Sequence, residues 1–270
     1  MVEFTKKYKI GSRRFGLINW VGAWTLYKKE VLRFLIVWIQ TIFSPLVSSL
    51  LFLMVLSLAI GSDRGNVLGV PFITFLAPGL IAMQVIQQSF SHSSSTFMIG
   101  KIQGNIVDLL YAPLSATEVT ISISLAAATR SFMIAIVSII TFYLIIDIQI
   151  KYFLLLFLFT FLTSFILGNI GIISGLWAEK FDHQATITNF VIVPLSFLSG
   201  TFYSIERLPD FLKKISEVNP FFYMIDGFRF CFIGQSDGSI KVGIIYLVIL
   251  SILSWLAAYI LFKRGYKIKT

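Results

Sequence analysis

Charged residues are spaced along this chain so as to leave long uncharged gaps. No Asp, Glu, Lys or Arg falls between Arg33 and Asp63, Arg64 and Lys101, Lys151 and Glu179, Asp182 and Glu206, or Lys241 and Lys263. The stretch from Glu118 to Asp147 holds a single charge, Arg130. About 20 apolar residues cover a bilayer's hydrocarbon core, so each gap can hold one crossing helix. The pattern predicts six spans, at roughly 35–60, 71–91, 117–146, 152–178, 184–204 and 242–262. Pro71 and the polar run 87–96 limit the second gap to one span, with the polar run ending it.

Three segments outside these spans also have helical patterning. Residues 15–34 carry Trp20, Trp24, Tyr27, Val31 and Phe34 on one stripe, with Lys28, Lys29 and Arg33 off it. An apolar face opposed to a basic one describes a helix lying in the headgroup layer. In residues 101–118, Ile102, Ile106, Leu109 and Leu110 recur at helical spacing, while Lys101, Asn105 and Asp108 fall on another face. Pro113 closes that helix, and Ser115 with Glu118 three residues later forms a capping box opening the next. A bundle has little reason of its own to place a polar-faced helix between two spans, so the segment reads as a surface for a partner outside the bilayer. The third segment, 204–241, is punctuated by Pro209 and Pro220. Phe211, Leu212 and Ile215, then Phe221, Phe222, Ile225, Phe228 and Phe232, predict two short helices re-entering toward the membrane. Such backbone is tolerated at membrane depth only against protein or a cavity.

The expected fold is therefore an all-α membrane protein of one domain over residues 1–270. It has six transmembrane helices, an N-terminal interfacial helix, a cytoplasmic coupling helix and an external re-entrant segment. No internal repeat is visible. Gly168, Gly171 and Gly175 form a small-residue seam on the fourth span, and Pro194 with Gly200 predicts a kink in the fifth.

Composition agrees with this reading: 57% of the residues are hydrophobic and 13% charged. The net charge of +9 reads as topology rather than nucleic-acid binding. With both termini in the cytoplasm, 14 Lys and Arg lie inside against 7 outside, in line with the positive-inside rule. The basic first 33 residues contain no apolar core of a cleavable signal.

Candidate chemistry is sparse, and no catalytic, cofactor or metal site is expected. The chain has one cysteine, Cys231, and two histidines, His92 and His183, at predicted span ends. No phosphate-binding loop occurs, so any driving nucleotide must be held by another subunit. Arg130 is the one charge inside a span. It reads either as a pathway or subunit-contact residue, or as a side chain snorkelling to the headgroups. Asp226 and Arg229, at i and i+3, are placed to neutralise one another. An ATP-independent transporter or channel would call for acids inside spans, and none falls there. A membrane-embedded transferase would need Asp147, Glu206, Asp210 and Asp226 to meet, which their spacing does not indicate.

These motifs together resemble the permease subunit of type-2 ABC exporters, over nearly the whole chain. The resemblance rests on DLLYAPLSATE at 108–118, NPFFYMIDGFRFCFIG at 219–234 and PLSFLSGTFYSIERLP at 194–209. Leu109, Leu110, Pro113, Leu114 and Ser115 match the family's Leu-Leu-x-x-Pro-hydrophobic-Ser pattern. Asn219, Pro220, Asp226, Gly227 and Arg229 match its Asn-Pro…Asp-Gly-x-Arg pattern. Many members carry Arg-Glu-x-Gly-Thr before the Leu pair. Here Lys101-Ile-Gln-Gly-Asn105 stands instead, with its acid delayed to Asp108. The resemblance implies a homodimer in the bacterial inner membrane, bound to two copies of a separate ATPase that holds ATP and Mg. It implies export, with coupling through Lys101, Asn105, Asp108, Leu109, Leu110, Pro113, Ser115 and Glu118, and through Lys28 and Glu30 of the N-terminal helix.

Overall fold

A computed structural model describes residues 18–60, 65–146, 148–205 and 208–268. Helix α1 (Trp20–Ile36) is capped by the Asn19 side chain and ends at a break at Val37. A π-helical turn (Ile39–Phe43) then leads into α2 (Ser44–Ile60). A two-residue hairpin, β1 (Asn66–Val67) and β2 (Val70–Pro71), delivers the chain to α3 (Phe72–Ile102). Helices α4 (Ile106–Tyr111), α5 (Ala116–Ile146) and α6 (Phe153–Trp177) follow. Short helices α7 (Phe181–Ile187) and α8 (Val193–Ser196) alternate with π turns. Then come α9 (Asp210–Val218), α10 (Pro220–Ile233) and α11 (Ile240–Lys263).

Among the described residues, five helical stretches are long and apolar enough to cross a membrane: Ile39–Ala59, Phe72–Ile102, Ala116–Ile146, Phe153–Trp177 and Ile240–Lys263. They correspond to the first, second, third, fourth and last of the predicted spans. The predicted fifth, 184–204, is a succession of α and π turns, none of which is long enough alone. Pro194 cannot donate a backbone hydrogen bond, and Gly200 adopts φ +83°, which ends regular helix. Hydroxyls occupy the carbonyls involved: Ser196 donates to Ile192 O, Ser199 to Leu195 O and Thr201 to Ser196 O.

The second span departs from expectation. The polar run 87–96 does not end α3, which continues to Ile102. Ser89, Ser93 and Ser94 of this run are buried within the bundle instead. Ser89 shares a 2.6 Å hydrogen bond with Ser131 of α5, and Ser93 and Ser94 pack on α6. There the predicted glycine seam brings two backbones together. A Cβ at Gly171 would lie 2.6 Å from Phe90 O, and one at Gly175 would lie 2.7 Å from Ser94 O. Phe75, Leu76, Ile81, Val85, Ile86 and Phe90 of α3 are fully buried, making this helix the central post of the bundle. The outer faces of α2 and α11 remain apolar and exposed, as lipid-facing helices require.

The segment 204–241 forms the two helices its prolines predict, α9 and α10. In α10, Asn219 caps Phe221 N–H, Pro220 takes the first turn and Gly234, at φ +81°, closes the helix. Phe221, Phe222, Ile225, Phe228 and Phe232 are all buried, whereas Phe211 of α9 is exposed.

The seam gives a direct stability test. Gly171→Ala must push against a backbone carbonyl at 2.6 Å, whereas the new methyl of Gly168→Ala meets nothing nearer than the Ala127 side chain, at 3.3 Å. Thermal melting in detergent should show a clear loss for Gly171→Ala, of about 1–3 kcal/mol for overpacking, and a smaller one for Gly168→Ala. Equal melting temperatures for the two variants would contradict the close approach.

Candidate coupling surface and membrane cleft

Residues 101–118 do not form the single helix that their spacing predicts. Lys101 belongs to the last turn of α3, the chain turns through Gly104 at φ +76°, and α4 is only six residues long. Nor is Lys101 a free surface charge. Its ammonium donates to Leu176 O at 2.8 Å and to Ala178 O, satisfying carbonyls at the C-terminal end of α6. Only Ile106 of α4 is buried. Asn105, Asp108, Leu110 and Pro113 are exposed, Leu109 is half-buried, and Tyr111 at 86% is the most exposed large hydrophobic side chain described. The helix thus offers a mixed apolar and acidic face to whatever lies beyond this end of the bundle.

The predicted capping box is formed, and it does more than cap. Glu118 Oε2 accepts from Ser115 N–H at 2.7 Å, and Ser115 Oγ accepts from Glu118 N–H at 3.3 Å. The second carboxylate oxygen of Glu118 accepts from Asn19 N–H at 2.6 Å. Asn19 in turn donates its side-chain amide to Pro113 O at 3.0 Å and accepts from Gly22 N–H at 2.9 Å. One carboxylate, 8% exposed, therefore ties the starts of α1 and α5 to the linker after α4. Along α1, Ser122 of α5 donates to Ala23 O, and Tyr27 hydrogen bonds Thr129 at 2.8 Å. Helices α1 and α5 run alongside one another in the same direction through these contacts. Glu118 is thus an internal fastener rather than an exposed contact.

The same correction applies to Glu30. Lys28 is exposed, but Glu30 is buried, accepting from Arg33 Nε at 3.0 Å and Thr96 Oγ1 at 2.8 Å. It joins α1 to α3 and is not available as a surface contact. At the same end, Lys267 bonds Glu179 at 2.8 Å, linking the chain after α11 to the turn after α6. That bond and the lysine's charge hold the Glu179 carboxyl below its ordinary range. The link therefore persists at neutral pH and is lost on acidification through that lowered value.

Arg130 faces inward. It is 9% exposed and donates through Nη2 to Gln88 Oε1 of α3, so it does not snorkel. Beyond it opens a cleft of about 940 Å³ between α2, α3 and the π turn after α8, lined by Gln84, Gln87, Gln88, His92, Arg33 and Arg130 with an apolar wall. This cleft joins residues whose kinship is not apparent from spacing. Arg130 and the glutamines along α3 were its traces in the sequence.

At the opposite end, Asp226 and Arg229 do not neutralise each other by contact. Asp226 accepts from Asp237 N–H at 2.9 Å and Gly238 N–H at 3.0 Å. Arg229, fully buried, donates to Gly200 O at 2.6 Å and lies 3.8 Å above the Phe75 ring. Asn219 donates to Ser199 Oγ at 2.8 Å. Gly227 admits Phe159, which would stand 2.1 Å from any Cβ there. The Asn-Pro…Asp-Gly-x-Arg residues thus fasten α10 to the Gly200 break and to α3 and α6. The Asp226 carboxylate is engaged by the two loop amides of Asp237 and Gly238. Asp147 and Glu206 lie outside the described residues.

The sequence profile of the family described as ABC-2 type transporter matches residues 22–233, which include α4, the cleft and the whole of α10. The chain is 30% identical over 248 residues to the inner membrane transport permease YadH of Escherichia coli, covering 92% of this chain and 97% of that protein. It is 24% identical over 254 residues to nodulation protein J of Neorhizobium galegae, covering 92% and 94%. Nodulation protein J of Rhizobium leguminosarum bv. viciae is 24% identical over 258 residues, covering 92% and 95%. With a profile match over most of its length, its apolar helices and its inward polar cleft, the chain belongs to the ABC-2 type transporter family and is a permease-type membrane protein.

Proposed function

We propose that this chain is the membrane subunit of an ATP-driven exporter, working as a homodimer with two copies of a separate ATPase in the bacterial inner membrane. ATP and Mg would be held by the ATPase. Both termini and α4 would face the cytoplasm. The observation that carries this reading is an exposed helix, α4, fastened at both ends to the bundle. A surface meant only for solvent has no use for Tyr111 and Leu110 beside Asp108, whereas a docking face for a protein partner does.

The mechanics follow from the fastening. Movement of the ATPase subunits would press on α4. The push would pass through Pro113, Asn19 and Glu118 to α1 and α5, and through the Gly104 turn to α3. The α3–α6 pair, locked by its glycine seam, would move as one body. The irregular stretch through Gly200 provides the interruption at which another body can pivot. The exposed positions Asn105, Asp108, Leu110, Pro113, Ser115 and Lys28, with the half-buried Leu109, form the proposed ATPase face, while Lys101, Glu118 and Glu30 serve it from inside. The ATP-independent alternative is disfavoured by Glu30, the acid behind the cleft, being occupied by Arg33 and Thr96.

Two outcomes are expected. A photo-reactive benzoylphenylalanine at Tyr111 should cross-link in cells to a polypeptide carrying a phosphate-binding loop. Adducts with lipid alone would overturn the docking role. Glu118→Ala should speed hydrogen exchange at the Asn19 and Ser115 amides by roughly tenfold, the equivalent of about 1–2 kcal/mol for a lost cap. The α3 core should stay unchanged, and unaltered exchange at residues 19 and 115 would contradict the fastening.

A further inference from the structure

The cleft beside Arg130 carries a charge that no described acidic residue compensates. Arg130 is nine-tenths buried, its Nε has no hydrogen-bond partner, and its one described polar contact is the neutral Gln88. The other guanidinium lining the cleft, Arg33, is already bound to Glu30, Ser95, Thr96 and His92 O. His92 lies buried beside it with both ring nitrogens unbonded, Nε2 standing 3.8 Å from Glu30. Among the described residues no Asp or Glu lines the cleft, and Glu30 behind it is spent on Arg33 and Thr96. An arginine in a span that faces a cavity rather than headgroups marks a ligand or ion route. A guanidinium with a free N–H, flanked by amides, is suited to a phosphate or carboxylate. The same cleft has an apolar wall, with Phe52, Met83, Val193 and Phe197 among its lining.

We infer that the cleft binds the anionic head of an amphipathic molecule, with Arg130 as its charge partner, Gln88 as the residue that positions Arg130, and the apolar wall as the seat of its chain. The class is thus an anionic amphiphile, bearing phosphate or carboxylate on a hydrocarbon portion. A neutral glycan would leave Arg130 unpaired, and a free inorganic anion would leave the wall unused. This inference rests on the chain being a permease, and it names the chemistry of what enters the cleft.

The test uses the full chain in nanodiscs of phosphatidylcholine, with dodecyl phosphate as the probe and dodecanol and inorganic phosphate as comparisons. Dodecyl phosphate should bind saturably to the wild type and at least tenfold more weakly to Arg130→Gln, with Arg130→Lys recovering part of the loss. Gln88→Leu, which keeps the charge but frees its side chain, should weaken binding less than Arg130→Gln. Melting curves of each variant establish that it is folded, and Arg130→Lys serves as the reference should Arg130→Gln not fold. Phosphatidylglycerol retained through purification by the wild type, and not by the Arg130 variant, would support the site and show that the membrane itself supplies the anion. Dodecanol binding as tightly as dodecyl phosphate, or equal binding by wild type and variant, would overturn the inference. Binding is read without the ATPase, so its failure beside an intact Tyr111 cross-link would refute this site alone.

Discussion

The close approach of α3 and α6 is the constraint on which the rest of this structure depends. Two long helices can meet backbone to backbone only where one lacks side chains, and Gly171 and Gly175 supply that groove to Phe90 and Ser94. The contact draws a serine-rich part of α3 out of lipid and into the bundle. It also brings the C-terminal ends of the two helices side by side, so that Lys101 of α3 can satisfy the carbonyls of Leu176 and Ala178. The end of this pair sets where the chain must turn, and the turn sets where α4 projects. The same post receives α10 through Arg229 over Phe75 and Phe159 against Gly227. The α4 end and the α10 end are thus attached to one body.

Much of this was legible from charge spacing, because lipid offers no partner for an isolated charge and the resulting gaps record the spans directly. The capping box at Ser115 and Glu118 was equally legible, since it is a local hydrogen-bond pattern. What could not be read was the destination of polar side chains within the bundle. The run 87–96 looks like a helix exit when only lipid and water are considered, yet it is the face of α3 turned to α6, α5 and the cleft. Likewise, i, i+3 spacing places Asp226 and Arg229 on one side of a helix. It cannot show that loop amides and the Gly200 carbonyl are nearer partners. Lys101, Glu30 and Glu118 read as contact residues in the sequence, but their polar groups have partners within the fold. Each is consumed within the fold, and the exposed residues around them are what remains for a partner.

Membrane helices tolerate irregular backbone only when nearby groups take up the freed carbonyls. The stretch from Thr188 to Thr201 meets that condition with its own hydroxyls, while its neighbours α3 and α6 stay regular. A stiff pair beside a broken helix is an arrangement with a natural pivot, and the cleft opens on the side where the broken helix lies. The permease reading therefore joins three features that have no shared local cause: an exposed fastened helix, a central rigid pair and a polar cleft at its flank.

The central claim is that α4 is the face on which an ATPase seats. The most direct measurement is electron cryo-microscopy of this permease bound to its ATPase in a bilayer. The account predicts Leu110 and Tyr111 in contact with the ATPase, with the Glu118–Asn19 link intact beneath them. A complex in which α4 lies in lipid or open solvent, with the ATPase seated elsewhere, would contradict it.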